Sequence, residues 1–251
     1  MMLSIDIEEV TKIAREAGKS IMKIYERDFR VDYKDDKSPL TEADTKSNEI
    51  ICEALEKLYP EIPILSEENK MVEFTERKDW EYYWCIDPID GTKEFIKKND
   101  EFTVNIALIH KETPVLGVVY APAIDKMYTA KQGKGAFLNG EKLPLQINNN
   151  KKEKLYVVAS KSHLSDETQE FIDNLDAKEI EQVSKGSSLK LCMVATGEAD
   201  IYPRLAPTME WDTAAADAIV RESGKMTYQF ESDEPVVYNK ENLLNPWFVV
   251  K

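Results

Sequence analysis

The feature that most constrains the fold is a buried-strand pattern that runs directly into an acidic turn. Residues 82–86 (Tyr-Tyr-Trp-Cys-Ile) are apolar and short, which is typical of a buried strand. Asp87 is therefore expected at the end of a strand, where Pro88 biases it toward an extended backbone. Asp90 follows on a turn that Gly91 lets the backbone complete. The pattern predicts two carboxylates side by side where a strand ends.

A short helical pattern opens at Thr92 and continues over residues 93–98. Free N–H groups at a helix start attract phosphate, and carboxylates hold metal ions. The segment 87–92 thus contains the groups that metal-assisted hydrolysis of a phosphate ester needs. The alternative is a turn whose aspartates only cap the next helix. For the six residues as a unit, the functional interpretation is favoured.

Composition narrows the class of protein. The chain has 251 residues, of which 42% are hydrophobic and 32% charged, so a substantial core and a soluble surface are expected. No membrane span or signal peptide is recognisable. Three cysteines, odd in number and set in apolar stretches, indicate reduced core thiols in a cytoplasmic protein. Peripheral association with a membrane is left open.

The net charge of −14 argues against nucleic acid or an anionic membrane as the main partner. It also repels a phosphorylated substrate, so bound divalent cations are expected to correct the local field. With only two histidines, a His-rich zinc centre is excluded. Oxygen ligands without histidine or cysteine favour Mg²⁺, with Mn²⁺ as the alternative.

The first half of the chain predicts two helices packed against an antiparallel meander. Helical spacing covers residues 3–27, and a second helix is expected after Thr41 as far as Leu58. Strand patterns cover 102–110, 114–120 and 126–130, and Asn139 with Gly140 forms a hairpin signal.

In the second half, strand patterns (155–159, 179–183 and 201–205) alternate with helix patterns (166–175, 187–196 and 211–222). The polar run 148–152 is the one candidate boundary. We therefore expect an N-terminal α+β lobe over residues 1–150 and a C-terminal α/β lobe over 151–251. Together they would form one catalytic unit of alternating helix and sheet layers.

Other segments offer further carboxylates. Glu67 follows a short buried-strand pattern at 62–65, although adjacent glutamates are usually surface residues. Asp212 lies in the first turn of a helix whose next residues are small, so a ligand can approach its backbone. Asp44 precedes the second helix. Both aspartates have a simpler interpretation as partners of a helix N-terminus.

Two segments offer groups for binding an anion. Residues 186–190 (Gly-Ser-Ser-Leu-Lys) lie between a strand pattern and a helix pattern, and the hydroxyls, amides and Lys190 suit the edge of a ligand site. Gly186 and Ser187 belong equally well to an ordinary loop. Arg204 is either a phosphate clamp or a surface ion pair.

Taken together, segments 67–68, 87–92 and 211–215 resemble the inositol monophosphatase superfamily of lithium-sensitive, Mg²⁺-dependent phosphatases. Segments 93–96, 102–108, 117–122, 186–190 and 202–204 resemble its 3′(2′),5′-bisphosphate nucleotidases of the CysQ type. The resemblance implies an α-β-α-β-α layered sandwich of mixed α/β class. It also implies conversion of adenosine 3′,5′-bisphosphate, a by-product of sulfate activation, to AMP. An inositol or sugar monophosphatase is the nearest alternative.

The resemblance also implies a ligand set for two or three Mg²⁺ ions. Glu67, Asp87 and the carbonyl of Ile89 would hold the first ion. Asp87 would bridge to a second ion held by Asp90 and Asp212. A third ion would be bound mainly by water, with Glu67 nearby.

The remaining implied roles concern substrate and protons. The amides of Gly91 and Thr92 would bind the scissile phosphate, beside Asp212. Glu67 would orient the attacking water, and Asp44 hydrogen-bonded to Thr92 would give a second route for its proton.

Lys190 and Arg204 would hold a second phosphate. A binding or regulatory protein on the same scaffold is the alternative of a different class, which the complete set of carboxylates disfavours. Whether the chain is a monomer or a homodimer is left open.

Overall fold

Apolar residues at helical spacing form two long helices at the start of the chain, as predicted. The computed structural model describes residues 5–34, 39–145, 154–160 and 164–251. Helix α1 (Ile7–Tyr25) begins where the Asp6 carboxylate accepts the N–H of Glu8 at 3.0 Å. Two short antiparallel strands follow, β1 (Val31–Tyr33) and β2 (Pro39–Thr41). Helix α2 (Glu42–Leu58) then begins at Thr41, whose hydroxyl accepts the N–H of Ala43.

The predicted meander is a seven-stranded sheet. Its strands, in the order in which they are paired, are β3 (Ile64–Ser66), β4 (Tyr82–Asp90), β5 (Thr103–His110), β6 (Thr113–Ala121), β7 (Lys126–Lys131), β8 (Gly135–Leu138) and β9 (Glu141–Lys142). Only the β3–β4 pair is parallel among these neighbours. Strands β8 and β9 form the hairpin signalled by Asn139 and Gly140. Short helices α3 (Phe74–Arg77) and α4 (Thr92–Ile96) flank β4.

One boundary expectation is wrong. Strand β4 does not end at Asp87 but continues to Asp90, and the pairing with β5 is irregular in between. Asp87 lies opposite Asn105, and Asp90 lies opposite Thr103. Pro88 has no N–H to give to the ladder, and such a residue is tolerated in a sheet at a bulge. The strand therefore carries both aspartates on an irregular segment.

Both faces of this sheet are buried because side chains alternate along each strand. On one face, Trp84 and Ile86 of β4 pack against α1 and α2. On the other face, Tyr83 and Cys85 pack against two helices of the second half. These are α6 (Leu189–Thr196) and α7 (Glu210–Glu222).

The second half adds another sheet and another helix. Strands β10 (Lys154–Ser160) and β11 (Glu179–Lys185) are parallel, and β12 (Tyr202–Arg204), β14 (Phe248–Val250) and β13 (Thr227–Gln229) pair antiparallel in that order. A bridge from Val157 to Ile201 links the two groups. Val158 faces the core beneath α6 and α7, whereas Val157 packs with Ile172 of α5 (Asp166–Asp173). The layers follow the order α-β-α-β-α, which confirms the predicted sandwich.

Three other expectations concern the chain as a whole. Cys52, Cys85 and Cys192 are buried and form no disulfide, as predicted. The predicted boundary at 148–152 lies outside the described residues, and the division into lobes stays a prediction. Within the described ranges, no helix is both long and apolar enough to cross a membrane.

Helix α7 is anchored at its first residue by a buried ion pair. The Glu210 carboxylate accepts the backbone N–H groups of Asn239 and Lys240 at 2.8 and 3.0 Å. It also accepts the Lys240 ammonium at 2.6 Å, and the Glu210 side chain is fully buried. The C-terminal segment therefore fixes the end of α7 that carries Asp212.

We expect Glu210→Ala to destabilise the fold, because it leaves two backbone N–H groups without their acceptor and the Lys240 ammonium without its carboxylate partner. Loss of one partner of such a pair costs about 3 kcal/mol. For a chain of this size that lowers Tm by roughly 10 °C. Glu179→Ala, which removes an exposed carboxylate paired with Lys154, is the control and should leave Tm unchanged. Equal Tm values for both variants would contradict the anchoring role.

Candidate metal and phosphate site

Three carboxylates from distant parts of the chain meet at the end of β4. Asp87 and Asp90 come from its irregular segment, and Asp212 comes from the first turn of α7. One oxygen atom from each lies within 4.8 Å of the other two. The sequence predicted this group from two segments more than one hundred residues apart, and the structure brings them together.

Each carboxylate is fixed by a local hydrogen bond. Asp87 Oδ1 accepts the N–H of Ile89 at 3.0 Å. Asp212 Oδ2 accepts the N–H of Met209 at 2.8 Å, so this side chain also caps its own helix. Asp212 is therefore a helix cap, as its simpler interpretation has it, and the cap does not exclude a role in binding a cation.

Like charge and burial act together on these carboxyls. Burial raises the pKa of Asp87 well above its usual range, and the nearby charges of Glu67, Asp90 and Asp212 raise it further. Burial, followed by the charge of Asp90, raises the pKa of Asp212 to about 8. Burial also raises the pKa of Asp90, opposed by the Lys190 ammonium. The cluster is unfavourable in its ionised form unless a cation joins it.

The donor set fits a hard divalent cation. All three side chains offer oxygen, which is the ligand atom that Mg²⁺, Mn²⁺ and Ca²⁺ prefer. Ile89 lies between the first two ligands, with its carbonyl 3.4 Å from Thr92 Oγ1. Its predicted role as a further oxygen ligand stays a prediction.

Ser188 is a site residue that the sequence analysis did not single out. Its Oγ lies 2.8 Å from Asp90 Oδ2 and 2.9 Å from the carbonyl of Asp212, and it accepts the side-chain N–H of Asn105 at 2.7 Å. Ser188 thus links β5, the end of β4 and α7. The sequence signal that could have pointed to a polar partner such as Ser188 was Asn105, a polar residue in the middle of an apolar strand pattern.

Glu67 lies beside the cluster rather than within it. Its N–H donates to the carbonyl of Ile86, which holds it next to β4. Lys34, a residue not predicted for the site, donates to Glu67 at 2.8 Å and to Glu68 at 2.6 Å. Burial alone lowers the pKa of Lys34, but the two carboxylates raise it above its usual value. A cation bound at Glu67 would therefore compete with this ammonium.

The predicted contact between Thr92 and Asp44 is present. Thr92 Oγ1 donates to Asp44 Oδ1 at 3.1 Å. Asp44 Oδ2 accepts both the N–H and the hydroxyl of Thr41, at 2.8 and 2.6 Å. Asp44 is thus a helix cap and a partner of Thr92 at once. Burial raises its pKa, against the hydrogen bonds from Thr41 and Thr92.

A cleft of about 210 Å³ lies over the carboxylates and extends toward the second half of the chain. Its lining includes Glu67, Asp90, Gly91, Thr92, Gly186, Ser187, Lys190, Arg204 and Asp212. Lys190 is buried there and donates to the carbonyl of Ser187 at 2.6 Å. Burial lowers the pKa of Lys190 to about 8, against the charge of Asp90. The predicted anion-binding residues therefore share one cleft with the carboxylates.

Two buried polar atoms in this cleft have no hydrogen-bond partner among the described residues. They are Ser187 Oγ and Arg204 Nε. Arg204 makes no ion pair within the described chain, and its Nη2 donates to the carbonyl of Pro207 at 2.9 Å. Both residues line the cleft, so these atoms are available to a polar ligand. The alternative of a surface ion pair for Arg204 is not what the structure shows.

Gly186 differs from expectation in one respect. Its N–H is not free to bind a substrate, because it donates to Glu101 Oε2 at 2.9 Å. Gly186 lines the cleft, so its contribution there is one of shape. The amide was assigned to a ligand because the sequence gave no sign that residue 101 would reach it.

Comparisons with known proteins agree with this geometry. Residues 5–246 match the model of the inositol monophosphatase family. Over 246 residues the chain is 44% identical to the 3′(2′),5′-bisphosphate nucleotidase CysQ of Salmonella typhimurium (strain LT2), covering 97% of this chain and 98% of that protein.

Solved structures share the fold. The crystal structure of CysQ from Bacteroides thetaiotaomicron has a TM-score of 0.88 at 44% identity, covering 97% of this chain and 96% of that one. An IMPase of Thermotoga maritima has a TM-score of 0.79 at 27% identity, covering 98% of this chain and 91% of that one. Both likenesses extend over nearly the whole chain.

The raised pKa values of Asp87 and Asp212 predict an unusual dependence of stability on pH. Without a cation, the folded protein keeps protons that the unfolded chain releases above about pH 4. Its free energy of unfolding should therefore fall as pH rises from about 4 to about 8. Excess Mg²⁺ or Mn²⁺ should displace those protons and raise Tm more at about pH 8.5 than at about pH 6.

Thermal unfolding in chelator and in excess cation measures this. Asp212→Asn should reduce both the slope in chelator and the effect of the cation, whereas Asp173→Asn, at an exposed position of α5, should change neither. A cation effect that is the same at both pH values would refute the coupling.

Proposed function

Because this chain belongs to the inositol monophosphatase family, we propose that it is a metal-dependent 3′(2′),5′-bisphosphate nucleotidase. It hydrolyses adenosine 3′,5′-bisphosphate to AMP and phosphate. Support comes from the relative of that name at 44% identity over nearly the full length of both chains. The observation that carries the proposal is a cleft lined by two sets of groups, the carboxylates and the set formed by Ser187, Lys190 and Arg204. A substrate with two phosphates would use both sets.

The carboxylate end would hold two or three Mg²⁺ ions, with Mn²⁺ as a substitute. Glu67, Asp87 and the carbonyl of Ile89 would bind one ion, and Asp87, Asp90 and Asp212 another. When bound, the ions supply positive charge for the scissile phosphate and make the attacking water more acidic. The protein's own contribution is to hold these oxygens in place.

The turn after β4 receives the scissile phosphate. Gly91 and Thr92 stand where α4 begins, and the first N–H groups of a helix have no carbonyl of that helix to bind. Their amides are therefore available to phosphate oxygens. Gly91 has φ +95°, which lets the chain turn sharply at this point.

Proton transfer from the attacking water is assigned to two carboxylates. Glu67 lies at the rim of the cluster and would orient the water. The hydroxyl of Thr92 would pass a proton to Asp44, with which it is already hydrogen-bonded at 3.1 Å. The raised pKa of Asp44 makes its carboxylate a better proton acceptor than an exposed aspartate.

The second phosphate is assigned to Ser187, Lys190 and Arg204. The fork of Arg204 and the ammonium of Lys190 can both donate to phosphate oxygens. Ser187 Oγ, buried without a partner among the described residues, adds a neutral donor.

An inositol or sugar monophosphatase remains the second candidate. The carboxylate cluster would serve the hydrolysis of any phosphate monoester, so it fits this candidate as well. The unsatisfied atoms at the Arg204 end favour the bisphosphate. A protein that only binds nucleotides has no need of a hydrolytic carboxylate set.

We place the enzyme in the cytoplasm, where buried unpaired thiols are stable.

Replacing Thr92 with valine should remove the proton route while keeping the shape of the turn. We expect kcat and kcat/KM to fall together by about 100-fold, as for a lost general-base contact. The rise in Tm produced by Mg²⁺ should stay as in the wild type. Thr92→Ser, which keeps a hydroxyl, should recover most of the activity. A change confined to KM would instead make Thr92 a binding residue.

Replacing Arg204 with alanine tests the substrate. We expect kcat/KM for adenosine 3′,5′-bisphosphate to fall by roughly 10- to 100-fold, the worth of a charged hydrogen bond. Inositol 1-phosphate, which has a single phosphate, should be affected far less. Arg204→Lys should recover part of the loss, because it keeps the charge without the fork. Equal losses on both substrates, or faster turnover of inositol 1-phosphate by the wild type, would favour the monophosphatase.

A further inference from the structure

Two glycines from different cleft-lining segments both approach one residue, Glu101. A Cβ atom at Gly91 would lie 3.0 Å from the backbone carbonyl oxygen of Glu101. A Cβ atom at Gly186 would lie 2.8 Å from the same oxygen. Contacts this short mean that neither position accepts a side chain without movement. Glu101 therefore lies in direct contact with both segments that carry the candidate phosphate-binding groups.

The side chain of Glu101 reinforces this contact on one side. Its Oε2 accepts the N–H of Gly186 at 2.9 Å, and its Oε1 accepts the Lys185 ammonium at 3.1 Å. The carboxylate thus holds the backbone of the segment that leads to Ser187 and Lys190. Glu101 is not among the residues that line the cleft, so these contacts do not involve the substrate.

The segment that carries Glu101 is itself anchored. The Tyr25 hydroxyl in α1 donates to Asp100 Oδ1 at 2.8 Å, and the N–H of Asp100 donates back to that hydroxyl at 3.2 Å. Lys98 and Asp100 both have positive φ angles, 56° and 65°, which residues with a Cβ rarely adopt. Such a conformation persists where surrounding contacts determine it. The segment that carries Glu101 is therefore held against α1 through the neighbouring Asp100.

From these contacts we propose that Glu101 is the positioning residue that sets the spacing between the two phosphate-binding segments. Its backbone supports the turn at Gly91 and Thr92, and its carboxylate fixes Gly186 and the groups that follow. The proposal rests on the proposed function, since the spacing matters only to a substrate with two phosphates. A ribose links those phosphates covalently, which limits the separation that they can span. Displacement of one binding segment then weakens binding of the pair, while a single phosphate at Gly91 is unaffected.

The length of the side chain and its charge can be separated by two variants. Glu101→Gln keeps the length and an oxygen for the N–H of Gly186 but loses the ion pair with Lys185. Glu101→Asp keeps the charge but is shorter by one methylene. If position is what matters, Gln should behave like the wild type and Asp should be impaired. Lys185→Met, which removes the same ion pair from the other side, is the matched control and should have little effect.

The test compares kcat and KM for adenosine 3′,5′-bisphosphate and adenosine 3′-phosphate, which differ by one phosphate. We expect Glu101→Asp and Glu101→Ala to raise KM for the bisphosphate by roughly 10- to 100-fold, as for a misplacement of about 1 Å. For adenosine 3′-phosphate the change should stay below about 3-fold, because that substrate uses only one segment. Tm, measured for each variant, identifies a fold defect, and the milder Asp variant keeps the test valid if Ala does not fold.

The outcomes separate the two proposals. A wild type that turns over both substrates equally well would reject the bisphosphate nucleotidase, and with it the role of Glu101. A wild type that prefers the bisphosphate, combined with equal losses on both substrates in the Asp variant, would reject the role of Glu101 alone. So would an impaired Glu101→Gln beside a normal Glu101→Asp, which would show that charge and not position is used.

Discussion

The architecture depends on holding three carboxylates closer together than their charges favour. Asp87, Asp90 and Asp212 are within reach of a single ion; burial raises the pKa of all three, and repulsion from neighbouring carboxylates raises those of Asp87 and Asp212 further. Nothing in their own interaction keeps them together. The cost is offset by the apolar packing of the sheets and helices around β4 and α7, and by the Glu210–Lys240 ion pair at the start of α7. Binding of a cation then converts the repulsion into the affinity of the site.

Local charges also determine how the cleft can bind a phosphorylated substrate. The chain has a net charge of −14, so phosphate must be attracted by local groups and not by the overall field. Lys190 is buried, and burial lowers its pKa to about 8 even though Asp90 opposes the shift. A phosphate beside it would favour the charged ammonium. Lys190 is therefore a cation whose charge is strengthened by the anion that it binds.

Whether a structural feature could be predicted depends on how far apart in the sequence the contacting residues lie. The helix starting after Thr41 and the strands of the meander were predicted from local spacing, because burial imposes a period on the sequence. The end of β4 was missed because Pro88 disturbs pairing without ending the strand. The links from Lys34 to Glu67 and from Glu101 to Gly186 join distant positions and leave no periodic trace. The family resemblance supplied ligands, but not the residues that hold them.

Two of the candidate site carboxylates are positioned in the same way, each at the start of a helix. Asp44 in α2 and Asp212 in α7 are both the third residue of their helix, and each uses one oxygen to accept the N–H of the residue before the helix. That bond fixes the carboxylate on a rigid element, and in Asp44 the second oxygen is left for Thr92. The positive end of the helix dipole also partly offsets the negative charge. Capping and function therefore do not compete for these side chains, since the cap provides the orientation that the chemistry requires.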